Sequence, residues 1–364
     1  MPKAVAFIPH KRRIERHRVD YLRAISDNMD DPYQTEDGRE MRGVQLALAN
    51  KCTELSDVTH WQFTDCCTDA LQISIAALTK PNDTVIVPSY GWRAFANAVV
   101  FMNRRIRFCD IDATGNIDLN QLETLIKTTQ AAAVVIVHNF GTVARVDQIV
   151  EICETYGTHI IEDAAPAFYM GEPYSYVPGS MSSTACFSFD FTKYPGTLGS
   201  GGAICTNSDE IANRIYEISA HGRGKDKEIH CVGTKSYMDM TSCAVLLKEI
   251  ELFEQNQYRE RRRQIATWYK DNLPYGNIPG ENYVWERYTM SVPSFKVDEV
   301  LEKLNSVKCL ARTFFKEPLH LLPWLNPEKD DCPKTVEFCA STIHLPSHHY
   351  LMDEEREKIA DALS

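Results

Sequence analysis

FSFDFTKYPGTLGSGGA, residues Phe187 to Ala203, decides how the rest of the chain is read. Its first half alternates aromatic residues with Ser188 and Asp190, the period-two pattern of a strand. A glycine-rich turn follows, and then a second apolar run, GGAICT. Lys193 stands between them. A lysine at the end of a buried strand either carries its charge out to water along its stem or is held there for a purpose.

Working outward, short β-branched runs alternate with helical patterns from about residue 44 to 207. The expected strands are Asp83 to Ser89, Ala132 to His138, His159 to Ala164, Cys186 to Phe191 and Gly201 to Thr206. TDALQISIAALT, GWRAFANAVVFM and RVDQIVEICETYG read as the helices between them, the last closing on a glycine. This alternation predicts an α/β fold, a mostly parallel sheet flanked by helices, with ligands at the carboxyl ends of its strands. After Met240 one long helix is expected, SCAVLLKEIELFEQNQYRERRRQIATWYKDNL, followed by a small C-terminal α+β domain. The expected division is 1–245 for the large domain with its N-terminal segment and 246–364 for the small domain, beginning with the linking helix.

A chain of 364 residues with 44% hydrophobic and 24% charged residues is that of an enzyme-sized globular protein. It has no long apolar run and no signal-peptide pattern, so a cytoplasmic protein without a membrane partner is expected. A net charge of -11 argues against nucleic acid as a partner. The twelve cysteines show no metal spacing and read as reduced core thiols. His348 and His349 are adjacent and point to different faces, so no metal site is expected.

Four polar residues fall at strand ends or turns: Thr68, Asp163, Ser188 and Lys193. Singly, each has an ordinary explanation. Thr68 would cap the helix that follows it, Asp163 would cap the next one, Ser188 is a strand residue and Lys193 a surface lysine. Together they supply what a pyridoxal phosphate site needs: an amine for a Schiff base, a carboxylate for the pyridine nitrogen, and phosphate donors at a helix start. Trp92, in VPSYGWRAFANAV, is the candidate aromatic cover; otherwise it is a core residue of an amphipathic helix.

These motifs resemble the DegT-type sugar aminotransferases, fold-type I pyridoxal-phosphate enzymes, through nearly the whole chain. CTDALQISIAAL is similar to the family's G-T-D-A-L helix start, and NDTVIVPSYGWRAFANAVVF to its D-E-V-I-V-P-S segment. VVIVHNFGTVARVDQI resembles P-V-H-x-Y-G-x-x-x-x-M-D-x-I, and HIIEDAAPA resembles V-I-E-D-A-A-Q-A. The opening stretch is similar to the family's lysine motif, F-S-F-x-x-x-K followed by a glycine-rich turn. EPLHLLPW and HLPSHHYLMDEE match P-L-H-x-x-P and L-P-x-x-x-x-L-x-x-E-E.

The resemblance implies that Lys193 holds pyridoxal phosphate as a Schiff base and, once freed, moves the substrate proton. It places Asp163 at the pyridine nitrogen, Trp92 over the ring, and Thr68, the Asp69 amide and Ser188 around the phosphate. His320 would approach the sugar or play a structural part. The implied function is ping-pong transfer of an amino group, through aldimine and ketimine forms, from an amino acid such as glutamate to a keto-sugar nucleotide in amino sugar biosynthesis. Family members are homodimers with shared sites. The segment GTKSYM, matching G-x-N-x-R-M, would bring Lys235 to the partner's phosphate.

Three positions depart from the pattern. Lys235 replaces an asparagine, Tyr237 an arginine, and Pro166 the glutamine of E-D-A-A-Q. Arg223, Lys225 and Lys227 would contact a diphosphate or form a solvated loop. A cyclitol or other non-nucleotide ketone remains an alternative substrate. A non-catalytic regulatory protein is a second alternative, which the presence of both Lys193 and Asp163 disfavours.

Overall fold

The structure is a computed structural model that describes residues 4–6, 8–30, 33–36, 39–168, 176–279, 284–325 and 328–364, with backbone alone for 33–36 and 39–42. Its strands are β1 (Tyr33–Glu36), β2 (Arg39–Arg42), β3 (His60–Thr64), β4 (Thr84–Pro88), β5 (Arg105–Cys109), β6 (Ala133–Val137), β7 (His159–Asp163), β8 (Thr184–Ser188), β9 (Gly202–Thr206), β10 (Tyr288–Ser291) and β11 (Thr342–Leu345). Its helices are α1 (His10–Asp27), α2 (Gly43–Ser56), α3 (Cys67–Leu78), α4 (Ala94–Phe101), α5 (Leu119–Thr129), α6 (Val146–Tyr156), α7 (Asp209–Ser219), α8 (Met240–Gln255), α9 (Tyr258–Asn272), α10 (Val297–Ser306), α11 (Pro333–Ser341) and α12 (Asp353–Leu363).

Seven strands form one sheet in the order β3-β9-β8-β7-β6-β4-β5, with β9 antiparallel to both neighbours and the other pairs parallel. The apolar runs follow from burial on both faces. In β6, Val134 and Ile136 join the core under α2, α5, α6 and α8, while Ala133, Val135 and Val137 face the core under α3, α4 and α7. A separate core packs α9, α10 and α12 around the antiparallel pair β10 and β11. Among the described residues no helix is long and apolar enough to cross a membrane. All twelve cysteines are unpaired thiols, nine of them buried.

The structure changes several details of the sequence reading. The long helix breaks in two where Gln257 takes a left-handed conformation, φ 53°. The break lets Tyr258 turn inward and stack on His349, ring centroids 3.8 Å apart. The alternation in CFSFDF continues past the strand itself: β8 ends at Ser188, and Asp190 and Phe191 already belong to the loop carrying Lys193. Thr68 does not cap α3. Cys66 does, its Sγ accepting from the Asp69 amide at 3.4 Å, which places Thr68 inside the first turn.

Candidate active site

The parallel strands deliver their polar termini to one place. Asp163 closes β7, Ser188 closes β8, and the loop from β8 to β9 presents Lys193. From the neighbouring end of the sheet α3 points its N-terminus the same way. Here β9 passes so close that a Cβ on Gly202 would lie 2.6 Å from the Cys67 nitrogen and 2.5 Å from the Cys66 oxygen. Glycine is therefore a packing requirement at 202, and it brings the N-terminus of α3 to the cavity rim.

These elements enclose a cavity of about 420 Å³. Of the residues singled out from sequence, Thr68, Trp92, Asp163, Pro166, Ser188 and Lys193 all line it. Asp163 is buried, accepts from the Ala165 amide at 3.1 Å, and is pushed above the usual carboxylate range by burial, which that amide and the nearby Lys193 only partly offset. Trp92 lies in the turn before α4, 54% exposed, with the Arg93 guanidinium 5.1 Å from its ring centroid.

Asp69, Lys235 and His320 do not line the cavity. The Asp69 carboxylate accepts from Ser236 Oγ at 2.8 Å, and that hydroxyl accepts from the Asp65 amide at 3.0 Å. The GTKSYM segment is thereby tied to the start of α3, leaving Lys235 exposed beside Tyr237, with Nζ 5.5 Å from the ring centroid. His320 is buried, its Nδ1 2.5 Å from Ser89 Oγ, and joins the PLHLLPW segment to the end of β4. Burial lowers its pKa. Arg223, Lys225 and Lys227 are exposed on the loop after α7.

Three groups of lining residues escaped the sequence reading. Glu286 pairs with Lys193 at 2.9 Å, so the amine does not sit in purely apolar surroundings. Burial pushes the Glu286 carboxyl up, but Arg287, Lys193 and Arg262 together hold it down to about 2. Phe140, Phe314 and Phe315 form an aromatic wall, with the Arg287 guanidinium 4.2 Å from the Phe314 centroid. Cys66, Cys67 and Asn139 complete the floor. WERY carried no strand-end signal that could have marked Glu286, because its placement depends on a segment distant in sequence.

The donor set fits pyridoxal phosphate. An amine and a buried carboxylate in need of a cation share one cavity with a helix N-terminus, a serine and an indole. A match to the DegT/DnrJ/EryC1/StrS aminotransferase family covers residues 30–364. The chain is 31% identical over 93% of its length to UDP-2-acetamido-2-deoxy-3-oxo-D-glucuronate aminotransferase of Pseudomonas aeruginosa, covering 96% of that protein. It is 28% identical over 96% of its length to GDP-perosamine synthase of Caulobacter vibrioides, covering 95% of it. Its fold matches S. venezuelae DesV in complex with a ketimine intermediate with a TM-score of 0.88 at 25% identity, over 99% of this chain and 98% of that one. The chain belongs to the DegT/DnrJ/EryC1/StrS aminotransferase family and is a pyridoxal-phosphate-dependent aminotransferase.

Proposed function

We propose that this enzyme moves an amino group from an amino acid, with glutamate as the donor, to the keto group of a nucleotide-linked sugar. The observation that carries the proposal is the convergence of Lys193, Asp163, Ser188 and the α3 N-terminus on one cavity. The relatives named above, one acting on a UDP-linked 3-oxo sugar and one a GDP-perosamine synthase, support the substrate class.

When bound, pyridoxal phosphate supplies a carbonyl to receive the amino group and a ring that accepts the electron pair left when Cα loses its proton. In this reading the amides at the start of α3, with Thr68 and Ser188, bind the phosphate. Asp163 holds the proton on the ring nitrogen; its burial makes a cationic partner valuable. Trp92, which lines the same cavity, would pack against the cofactor. Lys193 anchors the cofactor and then moves the proton at the substrate Cα. Glu286, braced by Arg287 at 2.6 Å, orients the freed amine. The aromatic wall excludes water from that proton transfer.

The same proposal includes a homodimer in which Lys235 serves the partner's site. Lys235 is exposed and outside its own chain's cavity, and apolar residues around this region stand in the open, among them Val232 at 95%. It also keeps the domain division at 245/246, supported by the separate core around β10 and β11, although that boundary falls within α8. Incubation with amino donors and keto-sugar nucleotides, with mass detection, tests the substrate. Aminated sugar nucleotide formed with ping-pong kinetics is expected; turnover confined to cyclitols or unlinked ketones would reject the sugar-nucleotide assignment.

A further inference from the structure

We infer that Arg13, on the N-terminal helix α1, is a positioning residue for Lys193, fixing the loop from Phe191 to Thr197 that carries the amine. The inference rests on the reading of Lys193 as the cofactor lysine. It concerns a segment ahead of residues 30–364, the part matched by the family.

Arg13 is 1% exposed. Its guanidinium donates to the Phe191 carbonyl at 3.1 Å, to the Thr197 carbonyl at 3.1 Å and to the Gly196 carbonyl. These acceptors bracket Lys193 on both sides, so one side chain closes the loop from beneath. Its Nε donates to Tyr21 Oη at 3.2 Å and lies 3.3 Å from Glu249 Oε2, and Tyr21 donates in turn to Glu249. A buried guanidinium is costly unless its charge is balanced and its donors are satisfied. Glu249 balances the charge, and the Nε, Nη1 and Nη2 groups all donate. The ring of Tyr194, next in sequence to Lys193, lies between Arg13 and Arg262, with the guanidinium carbons 5.7 and 5.0 Å from its centroid.

The rest of the segment points the same way. The Val5 amide donates to the Lys308 carbonyl at 2.9 Å, and the Ala6 carbonyl lies 3.0 Å from His348 Nε2, which anchors the chain on the small core. Ile8 then lines the cavity, and the His10 ring sits 4.5 Å from that of Phe191. The loop itself is tight, since a Cβ on Gly196 would lie 2.6 Å from the Lys193 carbonyl oxygen. Its own amides tie it at four points: Phe191 to the Gly199 carbonyl, Lys193 to the Asp190 carbonyl and Thr197 to that of Phe189, each at 2.8 Å, and Thr192 to Asp190 Oδ1 at 2.9 Å. The carbonyls at its two ends, those of Phe191, Gly196 and Thr197, accept from Arg13. A structural salt bridge alone would not need to spread its donors across the loop bearing the reactive amine.

The test compares wild type with Arg13→Lys and Arg13→Gln, and with Tyr21→Phe should either Arg13 variant fail to fold. Two readouts are taken on folded full-length protein. Trypsin cleavage after Lys193, followed by mass mapping without cofactor, should be about tenfold or more faster in the Arg13 variants through local opening of the loop. With pyridoxal phosphate added, the pH midpoint of the visible Schiff-base band should shift in Arg13→Gln and return toward wild type in Arg13→Lys. Unchanged cleavage, or an unchanged midpoint in variants whose thermal stability has fallen, would overturn the inference and leave Arg13 a stability residue. A wild-type band formed on another lysine would instead overturn the reading of Lys193, and the cleavage rates would separate the two failures.

Discussion

Lys193 Nζ donates to Glu286 Oε1 at 2.9 Å, and the other oxygen of the same carboxylate accepts from Arg287 at 2.6 Å. The Lys193 amine therefore faces an anion that is itself fixed, in the cavity that also holds Asp163. The two carboxylates are driven in opposite directions, Asp163 up by burial and Glu286 down to about 2 by its cationic neighbours. Such divergence separates roles between chemically similar groups. Burial disfavours a charge on Asp163, whereas Glu286 keeps its charge beside Arg287 and Lys193.

Glu286→Gln keeps the shape and one acceptor but removes the charge that orients the amine. The rate of the half-reaction with glutamate, followed by stopped-flow absorbance, should fall by about 10²-fold with little change in KM. A rate within a factor of two of wild type would show the ion pair to be incidental to proton transfer.

Asp163→Asn should divide stability from function. The folded-state pKa of this carboxyl is raised, so at neutral pH its ionised form costs stability in the cofactor-free protein; the cost disappears as pH falls below the unfolded-state value. The cofactor-free variant should thus melt higher than wild type at pH 7, with the gap closing in acid, while transfer activity drops by about 10² or more. Calorimetry of the two cofactor-free proteins across that range checks the sign.

Mild acid should destabilise the protein through its buried imidazoles. Burial, helped by Arg287, lowers the His344 pKa to about 3, and burial likewise lowers that of His348 to about 3. The unfolded chain takes up protons at both sites below about pH 6.5, whereas the folded protein does not. Stability should therefore fall as pH drops from that value toward 3, by up to about 2.7 kcal/mol per pH unit for the two sites together. Urea unfolding at pH 7 and pH 5 measures the slope, and removing one histidine should halve this contribution.

Gly202→Ala should damage the phosphate end of the site. The added methyl would meet the Cys66 carbonyl and the Cys67 nitrogen, so α3 must move away from β9. A loss of about 1–3 kcal/mol in stability is expected, with pyridoxal phosphate binding weakened in equilibrium dialysis.

Much of this architecture was legible in the sequence, for identifiable reasons. β4, β6, β7 and β9 are short apolar runs because both sheet faces are covered, and residues ending such strands fall beside one another wherever parallel strands share a sheet. Asp163, Ser188 and Lys193 could therefore be grouped without coordinates. β3 and β5 were missed because HWQFT and RIRFC carry polar residues on their less buried side, as edge strands do. The break at Gln257 left no glycine or proline to mark it. Glu286 and Arg13 were invisible for a different reason: each acts on the lysine loop from a distant segment, and no local pattern records contacts of that kind.

Lys193, in this cavity, is proposed to carry the cofactor of the aminotransferase. Borohydride reduction of the protein loaded with pyridoxal phosphate, followed by digestion and mass mapping, tests it most directly. One pyridoxyl adduct is expected, on the peptide containing Lys193, absent from Lys193→Ala and absent when glutamate is added before reduction. An adduct on another lysine, or a reducible chromophore that survives in Lys193→Ala, would contradict it.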